Sequence, residues 1–176
     1  MTTPARPAHP TAPVPAVVRP ATPDDHEALT HLWQLFRHDL SAVTGALPDG
    51  RGRFRDERLR AALDGAPGWR AHVLRLGDAP AGFALVRGLD GGTRVLSAFF
   101  VVAAARRRGV GLAAASAVLA AHPGPWEVAF QDANAPAVAF WRRVATTAAG
   151  AAWSEERRPV PGRPDLPPDV WIHIPA

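Results

Sequence analysis

The chain contains no cysteine, no lysine and no tyrosine, and a single methionine among its 176 residues. The first absence removes disulfides, thiolate metal sites and cysteine nucleophiles. The second removes Schiff-base chemistry, and the third removes a phenol as proton donor or acceptor. Long apolar runs are missing too. Nothing approaches the ~20 residues that span a bilayer, and the opening stretch MTTPARPAHPTAPVPA lacks the apolar core of a secretory signal. The cytoplasm is the expected location, with no membrane partner.

All 20 basic residues are therefore arginine, set against 16 acidic ones for a net charge of +4. The isoelectric point near 11.2 reflects how high arginine titrates rather than a large excess of charge. That balance suits an anionic ligand and is a poor electrostatic footprint for nucleic acid, which is not expected as a partner. Hydrophobic residues at 47% and charged residues at 20% are globular values. Residues 1–15, rich in Pro, Thr and Ala, read as a disordered tail, and residues 16–176 as a single domain with a real core.

Along the chain, AVVRP reads as a short strand. TPDDHEALTHLWQLFRHDLSAV then opens with a Thr22 cap, Pro23 in the first helical position and acids at the positive dipole end. Leu29, Leu32, Trp33, Phe36, Leu40 and Val43 fall on one helical stripe. A glycine-punctuated loop and a short second helix, RDERLRAALDG, follow. WRAHVLRL, PAGFALVRG and TRVLSAFFVV read as an antiparallel meander of three strands. A helix from about Val110 to Ala121, the strand WEVAFQ and the helix NAPAVAFWRRV, capped by Asn134, come next. A weak strand, a Pro-rich loop and a last strand near Val170 to Ile174 finish the chain. The FFVV strand, the alanine-rich helix and WEVAF make one βαβ unit, so those two strands should be parallel in a largely antiparallel sheet.

The stretch VVAAARRRGVGLAAASAVLAAH carries the chemistry. A helix start leaves backbone N–H groups without partners and holds partial positive charge. Glycines there let a diphosphate approach the backbone, and flanking arginines add forked donors. GVGLAA fits a loose dinucleotide fingerprint, with Asp132 about 20 residues further on where an acid is wanted. That reading ranks second, because AAARRR intervenes between strand and glycines and too little chain remains for a doubly wound sheet.

Arg106-Arg107-Arg108-Gly109-Val110-Gly111 resembles the [RQ]-x-x-G-x-[GA] hallmark of the Gcn5-related N-acetyltransferase (GNAT) family, and NAPAVAFW is similar to its Asn-x-x-Ala-x-x-Phe-aromatic helix. FFV, RRRGVG and NAPAVAFW together look like a bacterial subgroup of that family, and the resemblance runs from about Val17 to Ile174. It implies an α/β GNAT (acyl-CoA N-acyltransferase) fold, a mixed and mostly antiparallel sheet with one parallel βαβ unit flanked by helices. It implies acetyl-CoA as co-substrate, an amine on a small molecule or peptide as acceptor, and no metal; a homodimer is the default assembly. Its implied co-substrate contacts are Val101, Val102, Arg106, Arg107, Arg108, Gly109, Val110, Gly111, Leu112, Asn134, Ala137 and Trp141. The oxyanion donor is a backbone N–H near Phe100 to Val102.

Two positions depart from the family pattern. The strand Glu that often serves as base corresponds to Ala98, and the helix Tyr that protonates the thiolate corresponds to Trp141, whose indole is not a useful acid. Phe100, Val101, Trp141 and Ser97 are the catalytic candidates, with Glu127, Asp132, Asp39 and His38 as further replacement bases. Val138, Trp141 and Ala145 also make a core stripe, so packing alone explains the tryptophan. His31 and His38 share a face without a third ligand, and no metal is assigned. Arg51, Arg53, Arg55, Arg58 and Arg60 read as a solvated face. The alternative reading is a degenerate member that binds coenzyme A without acetyl transfer, or with altered chemistry.

Overall fold

The computed structural model describes residues 16–160 and 166–176. The tail read over residues 1–15, and residues 161–165 of the Pro-rich loop, lie outside the described residues. The strands are β1 (Ala16–Pro20), β2 (Arg70–Leu76), β3 (Ala79–Arg87), β4 (Arg94–Val101), β5 (Trp126–Gln131), β6 (Ser154–Arg158) and β7 (Asp169–Ile174). They form one sheet in the order β1-β2-β3-β4-β5-β7-β6. The helices are α1 (His26–Thr44), α2 (Glu57–Leu63), α3 (Val110–Ala121) and α4 (Ala135–Ala149). Every neighbouring strand pair is antiparallel except β4 with β5. This is the mixed sheet expected, with α3 as the crossover of its one parallel unit.

The entrance to α1 involves more than dipole compensation. Thr22 leads into a 3-10 turn, Pro23–Asp25, before α geometry begins at His26. Asp25 is 3% exposed and accepts from the Thr22 amide at 2.8 Å and from Arg19 through two bonds of 2.6 and 2.9 Å. The Arg19 bonds, aided by Thr22, outweigh burial and hold the Asp25 carboxyl at about 2. The end of β1 is thereby clamped to the start of α1. At the far end of the chain, α4 runs past Val144 to Ala149, because the Ala–Thr tail contains no breaker before Gly150.

The two faces of the sheet carry separate cores. On one, Leu29, Leu32 and Trp33 of α1 and Leu59 of α2 pack against Phe83, Leu85, Ala98 and Phe100. On the other, Val118 of α3 and Trp141 and Val144 of α4 pack on Leu96, Val128 and Ile172. Leu96 and Ala98 face opposite ways although two residues apart. The register of β4 against β3 skips Ser97, placing Val86 opposite Leu96 and Leu85 opposite Ala98. One extra residue reverses the alternation of a strand, so the bulge at Ser97 sends Ala98 and Phe100 towards α1. It sends Phe99 and Val101 towards α3 and α4. Of the α1 stripe, Phe36, Leu40 and Val43 are only half-buried; Phe36 still packs on Phe83 and Phe100, and all three wall a cleft.

Candidate active site

β4 and β5 begin as parallel neighbours, with Arg94 to Leu96 in register with Trp126 to Val128. Beyond that they part, β4 staying with β3 as far as Val101 and β5 with β7 as far as Gln131. The Val102 N–H donates to the Ala81 carbonyl at 2.9 Å. Bonds alternate along an antiparallel ladder, so Phe100 is also turned to β3, while the peptide groups of Phe99 and Val101 point into the wedge. The Val101 carbonyl accepts from Arg106 Nε at 2.6 Å. By the same alternation the Val101 N–H points into the wedge, past the last β4–β5 pair at Leu96 and Val128.

The loop from β4 to α3 is shaped by two left-handed residues, Arg107 (φ 60°) and Gly109 (φ 79°), the latter capping α3. The first bond of the helix runs from the Ala113 N–H to the Gly109 carbonyl at 3.1 Å. The backbone N–H groups of Arg107 to Leu112 find no acceptor among the described residues, and they stand at the positive end of the α3 dipole. The two glycines serve different ends. Gly109 supplies the left-handed turn. Gly111 is helical, and a Cβ on it would stand 3.3 Å from the Phe140 ring and 3.8 Å from the Val101 side chain; its absence lets α4 and β4 close on α3.

Arg106 is already engaged. It donates to the Asp39 carboxylate and lies 5.4 Å from the Phe100 ring centroid, so it braces α1 against the loop. Arg107 and Arg108 stay exposed as positive charge. On α4, Asn134 Oδ1 accepts from the Ala137 N–H at 3.3 Å, which leaves its amide NH2 for a ligand. Phe140 stacks on Phe99 with centroids 5.6 Å apart, and Trp141 meets Phe99 edge-on at 5.4 Å. Trp141 is 7% exposed, at once core residue and cleft wall.

These groups border one cleft of about 700 Å³. From the expected set it brings together Phe100, Val101, Arg106, Arg107, Gly109, Gly111, Leu112, Asn134, Ala137 and Trp141. Val102, Arg108 and Val110 belong to the same loop but not to its lining, and Ser97 sits in the bulge away from it. Glu127 is held by Arg158 at 3.2 Å and His173 at 3.3 Å, and Asp132 by Arg157 at 2.8 Å. Among the described residues lining the cleft, His38 and Asp39 are the base candidates present, and the Asp39 carboxylate is taken by Arg106. Ala98, 7% exposed, is packed in the α1-facing core. Sequence reasoning missed Phe36, Leu40, Val43, Phe99 and Phe140 as walls. The signal available was the α1 stripe outlasting the strands that could cover it.

A row of free amides beside a parted strand edge fits a diphosphate joined to an amide-bearing arm, the two recognisable parts of coenzyme A. Such a cleft suits an acyl-CoA-dependent transferase. The chain belongs to the acetyltransferase (GNAT) family, whose model matches residues 28–145, and transfers an acetyl group from acetyl-CoA to an amine. No curated protein matches its sequence. Among solved structures it is similar to an acetyltransferase from Thermus thermophilus, at 20% identity and a TM-score of 0.65 over 94% of this chain and 100% of that one. It is similar to the ribosomal-protein-S18-alanine N-acetyltransferase from Escherichia coli, at 14% identity and 0.62 over 91% and 93%. It is also similar to the aminoglycoside acetyltransferase AAC(6')-Ib in complex with coenzyme A, at 15% identity and 0.63 over 92% and 95%. At these identities the likeness establishes the fold. No helix among the described residues is long and apolar enough to cross a membrane.

Proposed function

We propose that the chain acetylates a small-molecule or peptide amine in this cleft, using main-chain groups and water where the family commonly uses a Glu and a Tyr. One observation carries the reading: Arg107, Gly109, Gly111 and Leu112, from the segment of free amides, border the same cavity as Val101 and Asn134. The diphosphate belongs on the Arg107–Leu112 amides, with Arg107 and Arg108 supplying charge. The pantetheine arm runs along the open edge of β4 at Val101, against Asn134 and Ala137 of α4. The Val101 N–H, preorganised by β4 and turned into the wedge, is the donor for the oxyanion that forms as the amine attacks the thioester.

Ala98 takes no proton, and Trp141 gives none that is useful. The amine therefore attacks as its free base, and the oxyanion collapses with cleavage of the C–S bond, so that coenzyme A leaves as thiolate. The proton released from the attacking nitrogen passes to that thiolate through water in the open cleft, where His38 is the side chain able to relay it. Holding thioester and amine together in one wedge supplies much of the rate. The printed acceptors of the similar structures, an aminoglycoside and an alanine of a ribosomal protein, support both a small molecule and a peptide as acceptor class.

The test is a calorimetric titration with acetyl-CoA, followed by an amine screen that follows thiol release. The chain has no cysteine, so every thiol detected is coenzyme A. Saturable binding of acetyl-CoA with release of thiol by some amine is expected. Binding of NADH in place of acetyl-CoA would restore the dinucleotide reading, and bound acetyl-CoA with no release from any amine would leave a binding protein only.

A further inference from the structure

Four residues of α1 that border the cleft share one stripe of the helix. Phe36, Asp39, Leu40 and Val43 stand at i, i+3, i+4 and i+7, and all four line the cavity. Leu40 and Val43 are half-buried yet pack in none of the cores, so the apolar surface they present belongs to the cleft wall. Apolar walls with a few fixed polar groups are how small-molecule sites are ordinarily built. Asp39 fixes where the stripe points. Its carboxylate accepts from Arg106, whose Nε donates to the Val101 carbonyl at 2.6 Å. One guanidinium therefore spans from this helix face to the residue whose N–H meets the oxyanion. Phe36 closes the same approach, its ring centroid 6.1 Å from that of Phe100.

The charge of this wall discriminates among amines. Asp39 is the one carboxylate among the described residues lining the cleft, and Arg106 holds it. Arg107 and Arg143 add positive charge to the lining, and the Ser41 hydroxyl is turned back to the His38 carbonyl at 2.6 Å. A second ammonium on the acceptor would find no free carboxylate here, and a desolvated charge without a partner is costly. An apolar body gains by covering Leu40 and Val43. We infer that Phe36, Leu40 and Val43 are the specificity-determining surface and that the acceptor is a primary amine on an apolar body with no second positive charge. This rests on the cleft being the site of acetyl transfer. It also suits a site whose chemistry runs without a side-chain base, because an apolar surround disfavours the ammonium and favours the free amine that attacks.

Alkylamines of nearly equal basicity read the wall directly: butylamine, pentylamine and hexylamine, with 1,6-diaminohexane adding one charge to the last. They are titrated by calorimetry into the protein saturated with coenzyme A, where no acetyl group is available for transfer, and then compared as acceptors with acetyl-CoA. Affinity should rise roughly threefold to fourfold per methylene, the value of a buried CH2, and kcat/KM should rise with it through KM. The diamine should bind about tenfold or more weakly than hexylamine. Leu40→Glu puts a carboxylate on the stripe and should invert that order; Val43→Glu does the same on the next turn if Leu40→Glu does not fold. A merely structural role for these residues would weaken both amines together and leave their order as it was. A flat series from butyl to hexyl, a diamine that binds as well as hexylamine, or an order that neither variant changes would overturn the inference. The coenzyme titration separates the two levels. Without saturable coenzyme binding the cleft assignment fails and the inference with it, whereas bound coenzyme with a flat amine series refutes the inference alone.

Discussion

Gly111→Glu tests the placement of the diphosphate most directly. Gly111 sits in the first turn of α3 with helical dihedrals, so a side chain there meets no left-handed strain, and its Cβ would lie 3.3 Å from the Phe140 ring. That contact asks Phe140 to move by a few tenths of an ångström. A residue better than glycine in a helix gains up to about 1 kcal/mol, and an acid in the first turn gains a further ~0.3–1 kcal/mol from the dipole. The fold should therefore persist, with a melting temperature within a few degrees of the parent. Binding should not. A carboxylate about 5 Å from a phosphate charge, at an effective dielectric of about 20, costs ~3 kcal/mol, which is more than a hundredfold in Kd. Gly111→Ala adds the Cβ alone and should bind within about threefold of the parent, since its helix gain of up to ~1 kcal/mol offsets the Phe140 contact. Calorimetry with acetyl-CoA, alongside circular dichroism, reads both. A folded Gly111→Glu that binds like the parent would refute the assignment of the diphosphate to these amides.

Three further outcomes can be measured. His72 is 2% exposed, its Nε2 lies 3.2 Å from that of His122, and burial first and the His122 charge next lower its pKa to about 4. The unfolded chain takes this proton more readily, so stability is full above about pH 6.5 and falls as pH drops towards 4, by roughly 3 kcal/mol in all; urea melts across that range should show it, and His72→Leu should flatten it. Ala98→Glu places a carboxylate in an aromatic-lined core with Arg58 nearby, costing about 1–3 kcal/mol of stability while raising the rate on simple amines at least ~tenfold if proton removal limits turnover; an unchanged rate at every pH would mean that no base was missing. In the parent, the alkaline rise of kcat/KM should follow the acceptor's own amine pKa, moving when the acceptor is changed, and a limb that does not move with the acceptor would refute proton loss to water.

The parts of the site that could be read from the sequence are those made locally. The RRRGVG turn, the α3 start at Val110 and the Asn134 cap depend on neighbours within a few residues, and they stand where the motif placed them. What was illegible is long-range. The Arg106–Asp39 brace joins residues 67 apart in the chain, and no local pattern announces it. The bulge at Ser97 is a property of the β3–β4 register, yet it decides that Ala98 and Phe100 face α1 while Leu96 does not. Alternation read from LSAFFVV cannot reveal such a reversal. Glu127 and Asp132 stood as base candidates by proximity in sequence to a cleft-forming strand, and the structure pairs them instead with arginines of β6. The stripe of α1 was read correctly as one face but not as two environments, core for its first half and cleft wall for its second.

The groups assigned to co-substrate binding and to the oxyanion are mostly peptide N–H groups, and this bears on how far sequence can drift. An amide is placed by dihedral angles and by a helix start, and it is indifferent to the side chain it carries except where a Cβ collides, as at Gly111, or where φ is positive, as at Gly109. A chain can hold such a site while identity to similar structures falls to 14%, with the fold still matching at a TM-score of 0.62. Side-chain roles have no such protection. One substitution removes them, and Ala98 and Trp141, both 7% exposed in opposite cores, are accounted for by packing. Selectivity must then come from somewhere other than a general base. In the proposed mechanism proton transfer is left to water, and the chain discriminates by where it holds the amine in the cleft.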